Sequence, residues 1–153
     1  MRLSRWVLMV TLGEAVGFGV PAAVGVAVTA ASLGPFATVL AMVLAGSVEG
    51  ALLGIAQADC LYRWAVLPTR RRWIIATSVG AAVAWSLGIL PSTIGLHPTL
   101  RTVIMVGIGG LLLLTSLPLA QYFVLRDHVR QPLLWIPINL AAWLLGITWT
   151  LLP

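Results

Sequence analysis

A chain of 153 residues that is 60% hydrophobic and 8% charged cannot cover itself for water, because soluble domains carry about 25% charged residues. Its net charge of +5 comes from nine arginines and no lysine, and it reads as the flanks of membrane spans and contact with anionic lipid, not as a nucleic-acid surface. The single cysteine, Cys60, excludes an intramolecular disulfide, and no CxxC or His-rich ligand set is present.

Hydropathy and punctuation divide the chain into five apolar stretches, each close to the about 20 residues that a membrane-spanning helix needs. The first covers about 6–30 and is preceded by Arg2 and Arg5. It could be a signal peptide, with Val28-Thr29-Ala30 as a small-residue cleavage site. Its apolar run is much longer than the usual 7–15 residues, and Glu14 interrupts it, so it is expected to be a span. The second covers about 36–60, after the Gly34-Pro35 break, and the third about 73–94, after Arg70-Arg71-Arg72. The fourth covers about 101–125, and the fifth about 133–152, after Gln131-Pro132. The expected fold is an all-α integral membrane bundle of five transmembrane helices forming one domain over 1–153, with no room for a separate soluble catalytic domain.

With five crossings, Arg2, Arg5, Arg63, Arg70, Arg71, Arg72, Arg126 and Arg130 fall on one side and only Arg101 on the other. The positive-inside bias then places the N-terminus in the cytoplasm and the C-terminus outside, in a plasma (inner) membrane. Trp6, Trp64, Trp73 and Trp135 stand beside the arginines, as interfacial aromatics do. Arg70, Arg71, Arg72, Arg126 and Arg130 are the candidates for anionic lipid headgroups.

An internal repeat is also legible. RWVLMVTLGEAVGFG (5–19), RWIIATSVGAAVAWSLG (72–88) and LWIPINLAAWLLG (134–146) each begin beside a Trp and run outward. LLGIAQADCLYRWAVLPTRRR (52–72) and LPLAQYFVLRDHVRQPLL (117–134) precede the last two, so that Gln57 corresponds to Gln121. This gives two parallel helical hairpins plus one extra N-terminal helix, related by an axis along the membrane normal. Segments such as GALLGIAQ, AQYFVLRDHVRQPLLW and AAWLLG resemble a group of small uncharacterised bacterial multi-span proteins with repeated GALLGxxQxxVLRxH…W segments. The likeness covers 46–88 and 117–146, with departures at Ala58-Asp59-Cys60 and in the shorter second turn; it implies the fold and no activity.

Two carboxylates stand within spans. A charge at the bilayer centre costs about 2.5–3.5 kcal/mol on insertion scales, which marks Glu14 and Glu49 as candidate proton or cation sites or helix contacts. Counting from Trp6 and Arg63 puts them at similar depth on antiparallel neighbours, where they would share a proton or bind a cation. The bland alternative is a protonated or hydrogen-bonded carboxyl, held by a Ser, Thr or Trp across a helix interface. Gly46, Gly50 and Gly54 form a small-residue stripe suited to close helix packing, with the partner helix in this chain or in another left open. Gln57, Gln121 and Asn139 are further polar candidates for a proton or cation site or for helix contact. Pro21, Pro91, Pro118 and Pro137 are read as packed kinks. His97 and His128 lie in loops on opposite sides, a poor arrangement for haem, and Asp59 and Asp127 are read as members of interfacial ion pairs.

No catalytic constellation appears, and no cofactor, metal or nucleic-acid partner is expected. The first functional expectation is a non-enzymatic membrane subunit or scaffold, packed against other subunits or copies of itself. The alternative is a small proton- or cation-coupled transporter or channel using Glu14 and Glu49.

Overall fold

The computed structural model describes residues 3–63, 69–93 and 99–150, and these contain helices and turns but no strand. The helices are α1 (Leu3–Ala30), α2 (Pro35–Arg63), α3 (Arg70–Thr93), α4 (Leu100–Leu125) and α5 (Trp135–Thr150). A single 3-10 turn, Pro132–Leu134, leads into α5. The first four are long and apolar enough to cross a membrane. The 16 residues of α5 rise only about 24 Å, less than the roughly 30 Å of a hydrocarbon core. Four helices of adequate length plus one short apolar helix therefore stand where the sequence suggests five spans.

Each helix packs antiparallel on its neighbour in sequence. Among the described residues the α1 backbone approaches only that of α2, and the α5 backbone only that of α4 and the turn before it, while the Trp135 ring of α5 also reaches Trp73 of α3. The result is a curved row of helices, not a closed barrel. The turn from α1 to α2 is short because α1 ends in a Schellman cap. Leu33 N–H reaches the Val28 carbonyl (3.1 Å), Ser32 N–H reaches that of Thr29 (3.1 Å), and Ser32 takes the left-handed φ of 49° that this cap requires.

Glycine sets the closeness of the row. A Cβ on Gly13 would lie 2.7 Å from Ala56 Cβ, and one on Gly17 would lie 3.2 Å from the Glu49 carbonyl oxygen, so α1 rests on α2 through these two residues. The Gly46, Gly50 and Gly54 stripe of α2 seats α3 of the same chain, against Trp85, Thr77, Ala81 and Ile74. Gly80 then brings α3 onto α4 beside Leu117. Pro21 and Pro118 are fully buried within α1 and α4.

The densest packing lies at the end bearing the arginines. Ala58, Leu61, Trp73 and Leu125 form a buried cluster, with Trp6, Ile74, Val124 and Trp135 against it. Asp59 ties three helices there, pairing with Arg5 (3.0 Å), Arg63 (3.2 Å) and Arg70 (3.4 Å).

Candidate functional site: a two-carboxylate cavity above a polar floor

A cavity of about 830 Å³ opens in the concavity of the row, and all five helices line it. Its walls are mostly apolar, with Phe18, Leu53, Ile89, Leu113 and Leu117 among them. Both carboxylates that the sequence places within its long apolar stretches reach it: Glu14 from α1 and Glu49 from α2. Gly17 makes this possible, because it lets α1 settle directly on the backbone of Glu49.

The two carboxylates are held differently. Glu49 Oε2 accepts a short 2.6 Å hydrogen bond from Trp85 Nε1 of α3. The Trp85 ring lies over Gly46, where a side chain of any size would displace it, so the glycine stripe positions the partner of Glu49 as well as packing the helices. Glu14 makes no hydrogen bond within the described residues, and its oxygens are not sealed away from the cavity. It lies within electrostatic reach of Glu49. The site thus contains one oriented carboxylate and one that has no hydrogen-bond partner among the described residues. No group of three or more His, Cys, Asp or Glu side chains converges among the described residues. Two carboxylates suit a proton or a monovalent cation, or a divalent ion that keeps most of its water ligands.

One turn nearer the arginine end than Leu53, Ala81 and Leu117 of the lining lies a buried polar network. Gln57 Oε1 accepts from Trp73 Nε1 (3.1 Å) and from Gln121 Nε2 (2.9 Å). Gln121 Nε2 also donates to Thr77 Oγ1 (2.9 Å), and Gln121 Oε1 accepts from Trp135 Nε1 (2.8 Å). Thr77 Oγ1 donates to the Trp73 carbonyl (2.9 Å), and the two indoles meet edge-on at 5.6 Å. Gln57, Thr77 and Gln121 are buried, yet no buried side-chain polar atom among the described residues lacks a partner. In each of the two hairpins a glutamine accepts the indole N–H of a tryptophan in the first turn of the next helix, 16 residues on for Gln57 and 14 for Gln121.

The remaining candidates sit elsewhere. Asn139 Nδ2 bonds to the Trp135 carbonyl one turn back on its own helix (2.8 Å), not across to another helix. Arg70 is engaged by Asp59 and stacks on Tyr62, with its guanidinium 4.8 Å from the ring centre, and Arg126 lies 3.6 Å from Asp127. Arg71, Arg72 and Arg130 are exposed, without a carboxylate partner among the described residues. A second groove of about 400 Å³ between α3 and α4 has an apolar floor, with Arg72, Asp127 and His128 at its arginine end. His97 and Trp64 lie outside the described residues.

Sequence reasoning does not single out Thr77 or Trp85, nor the Gly13 and Gly17 pair. The four-residue spacing of the two glycines, on the helix that carries Glu14, was the available signal for that pair. No family model matches this chain, and no curated protein or solved structure matches it either.

Proposed function

We propose that the protein is a small proton- or cation-coupled membrane carrier whose substrate site is the cavity bearing Glu14 and Glu49. The observation that carries this reading is that the two intramembrane carboxylates of the chain line one cavity, one oriented by Trp85 and the other unpartnered. Its volume lies within the roughly 300–1,000 Å³ typical of small-molecule sites. An unpartnered carboxylate in hydrocarbon is costly, and occupancy by a proton or cation removes that cost. On this reading the chain crosses a bacterial plasma membrane with its arginines in the cytoplasm. The Gln57–Gln121 network is then the inner floor of the site. The matching Gln–Trp bonds support descent of the two hairpins from one duplicated unit, with α1 added. Arg71, Arg72 and Arg130 face anionic headgroups, and α5 crosses far enough to leave the C-terminus outside.

In proteoliposomes, Glu49→Gln and Glu14→Gln are each expected to reduce a proton- or cation-dependent flux by at least about tenfold while leaving insertion unchanged. Flux equal to wild type in both variants would remove the carrier reading.

A second reading, a non-enzymatic subunit or scaffold, is favoured by α5. Among the described helices its backbone approaches only α4, and residues 141–148 are all exposed. The same preparation distinguishes the two. A stoichiometric larger complex on gentle extraction supports the scaffold, and an active protein purified alone supports the carrier.

A further inference from the structure

The carrier reading leaves its substrate open, and any assignment of that substrate rests on that reading. We propose that the cavity takes a hydrophobic organic cation: a monovalent ammonium- or phosphonium-type ion with a bulky apolar body.

Shape, lining and charge converge on this class. The cavity is large enough for a body of several rings, and Phe18, Leu53, Leu113 and Leu117 offer it apolar walls. Among the described lining residues, Glu14 on α1 and Glu49 on α2 are the titratable groups; α3, α4 and α5 contribute none. A neutral apolar ligand would leave the carboxylates uncompensated, and an anion would be repelled. An inorganic cation would bring a water shell to which the mostly apolar walls offer few hydrogen bonds. A diffuse organic cation gives up less hydration, pairs with the carboxylates and meets the indoles of Trp85 and Trp143, which also line the space.

The route in fits the same class. The Gln57–Gln121 network lies beyond the arginine end of the cavity, whereas among the described residues the α1 and α5 backbones do not approach each other, so the row is open at the side. An amphiphile already dissolved in the bilayer can enter there.

Two carboxylates that line one cavity within electrostatic reach of each other hold one proton between them more cheaply than two charges. The arriving cation replaces that proton, which leaves to solvent, so binding and proton release are linked. Glu14 is the residue free to give it up, because Glu49 is held by Trp85.

The probe is tetraphenylphosphonium, with tetraphenylborate as a control of the same shape and opposite charge. Calorimetry on the full-length chain in detergent is expected to show phosphonium binding weakened about tenfold or more in Glu14→Gln and in the Glu14→Gln, Glu49→Gln double variant. A pH-indicator dye should record release of about one proton per cation bound. Glu14→Gln removes no hydrogen bond within the described residues, so it provides a folded comparison even if the double variant is unstable. Equal uptake of phosphonium and borate, or phosphonium binding unchanged in both variants, would mean micelle partition and would overturn the proposal. If phosphonium does not bind but a glutamate-dependent flux of an inorganic ion persists in liposomes, the substrate class falls and the carrier reading stands. If both are absent, both fall.

Discussion

Gln121→Leu is expected to lower the stability of the protein in detergent by about 2–4 kcal/mol, although leucine closely matches glutamine in volume. Gln121 is fully buried and joins three helices at once, donating to Gln57 and Thr77 and accepting from Trp135. Hydrogen bonds between membrane helices average about 0.6 kcal/mol and reach about 1.7. Three such bonds, plus a Trp135 donor left without its acceptor, give the range stated. Gln57→Leu removes two bonds and is expected to cost less. The Gln57–Gln121 bond is common to both, so the double variant should cost less than the sum of the singles. Unfolding by denaturing detergent, followed by tryptophan fluorescence, measures all three. A loss below about 0.5 kcal/mol for Gln121→Leu would mean that the network is not what joins α5 to the row.

Gly50→Leu is expected to be more damaging, by about 3 kcal/mol or more. Overpacking a core typically costs about 1–3 kcal/mol when neighbours can adjust. Here the first added atom would lie 2.5 Å from Ala81 Cβ, 2.8 Å from the Thr77 carbonyl oxygen and 3.0 Å from Ser78 Cα. Two of these belong to the α3 backbone and cannot rotate away. Gly107→Leu and Gly109→Leu are the controls, since a Cβ at either position meets nothing within 4 Å. Thermal unfolding and yield after extraction should separate Gly50→Leu from the controls clearly. If Gly50→Leu stayed folded and instead released a partner protein, the stripe would be an intermolecular surface, as the scaffold reading expects.

The helices were legible because long apolar runs leave the backbone no alternative in hydrocarbon. Arginine clusters, Gly34-Pro35 and Gln131-Pro132 mark their ends, and the observed limits differ from the expected ones by only a few residues. The length of α5 was harder to read, because Pro132–Leu134 forms a 3-10 turn where hydropathy alone continues the span. Glu14 and Glu49 stand out in the sequence because charge is rare there, and counting residues places them at similar depth. Which side chain answers Glu49 is a different kind of question. Trp85 is 36 residues away and reaches it only because Gly46 gives the ring somewhere to lie. Gln57 and Gln121 were visible as counterparts, but their mutual bond and those to Trp73, Thr77 and Trp135 depend on how the helices rotate about their axes. An apolar sequence leaves that rotation poorly specified, because lipid-facing and protein-facing sides have similar composition.

The central claim is that Glu14 and Glu49 share one ligand-accessible cavity. A hydrophobic carbodiimide, which modifies protonated carboxyls in apolar surroundings, tests it most directly in native membranes, with mass spectrometry to locate the adduct. The expected result is modification at Glu14, the unpartnered carboxyl, suppressed by tetraphenylphosphonium and not by tetraphenylborate. Absence of any adduct at Glu14 and Glu49, or an adduct that the cation does not diminish, would contradict it.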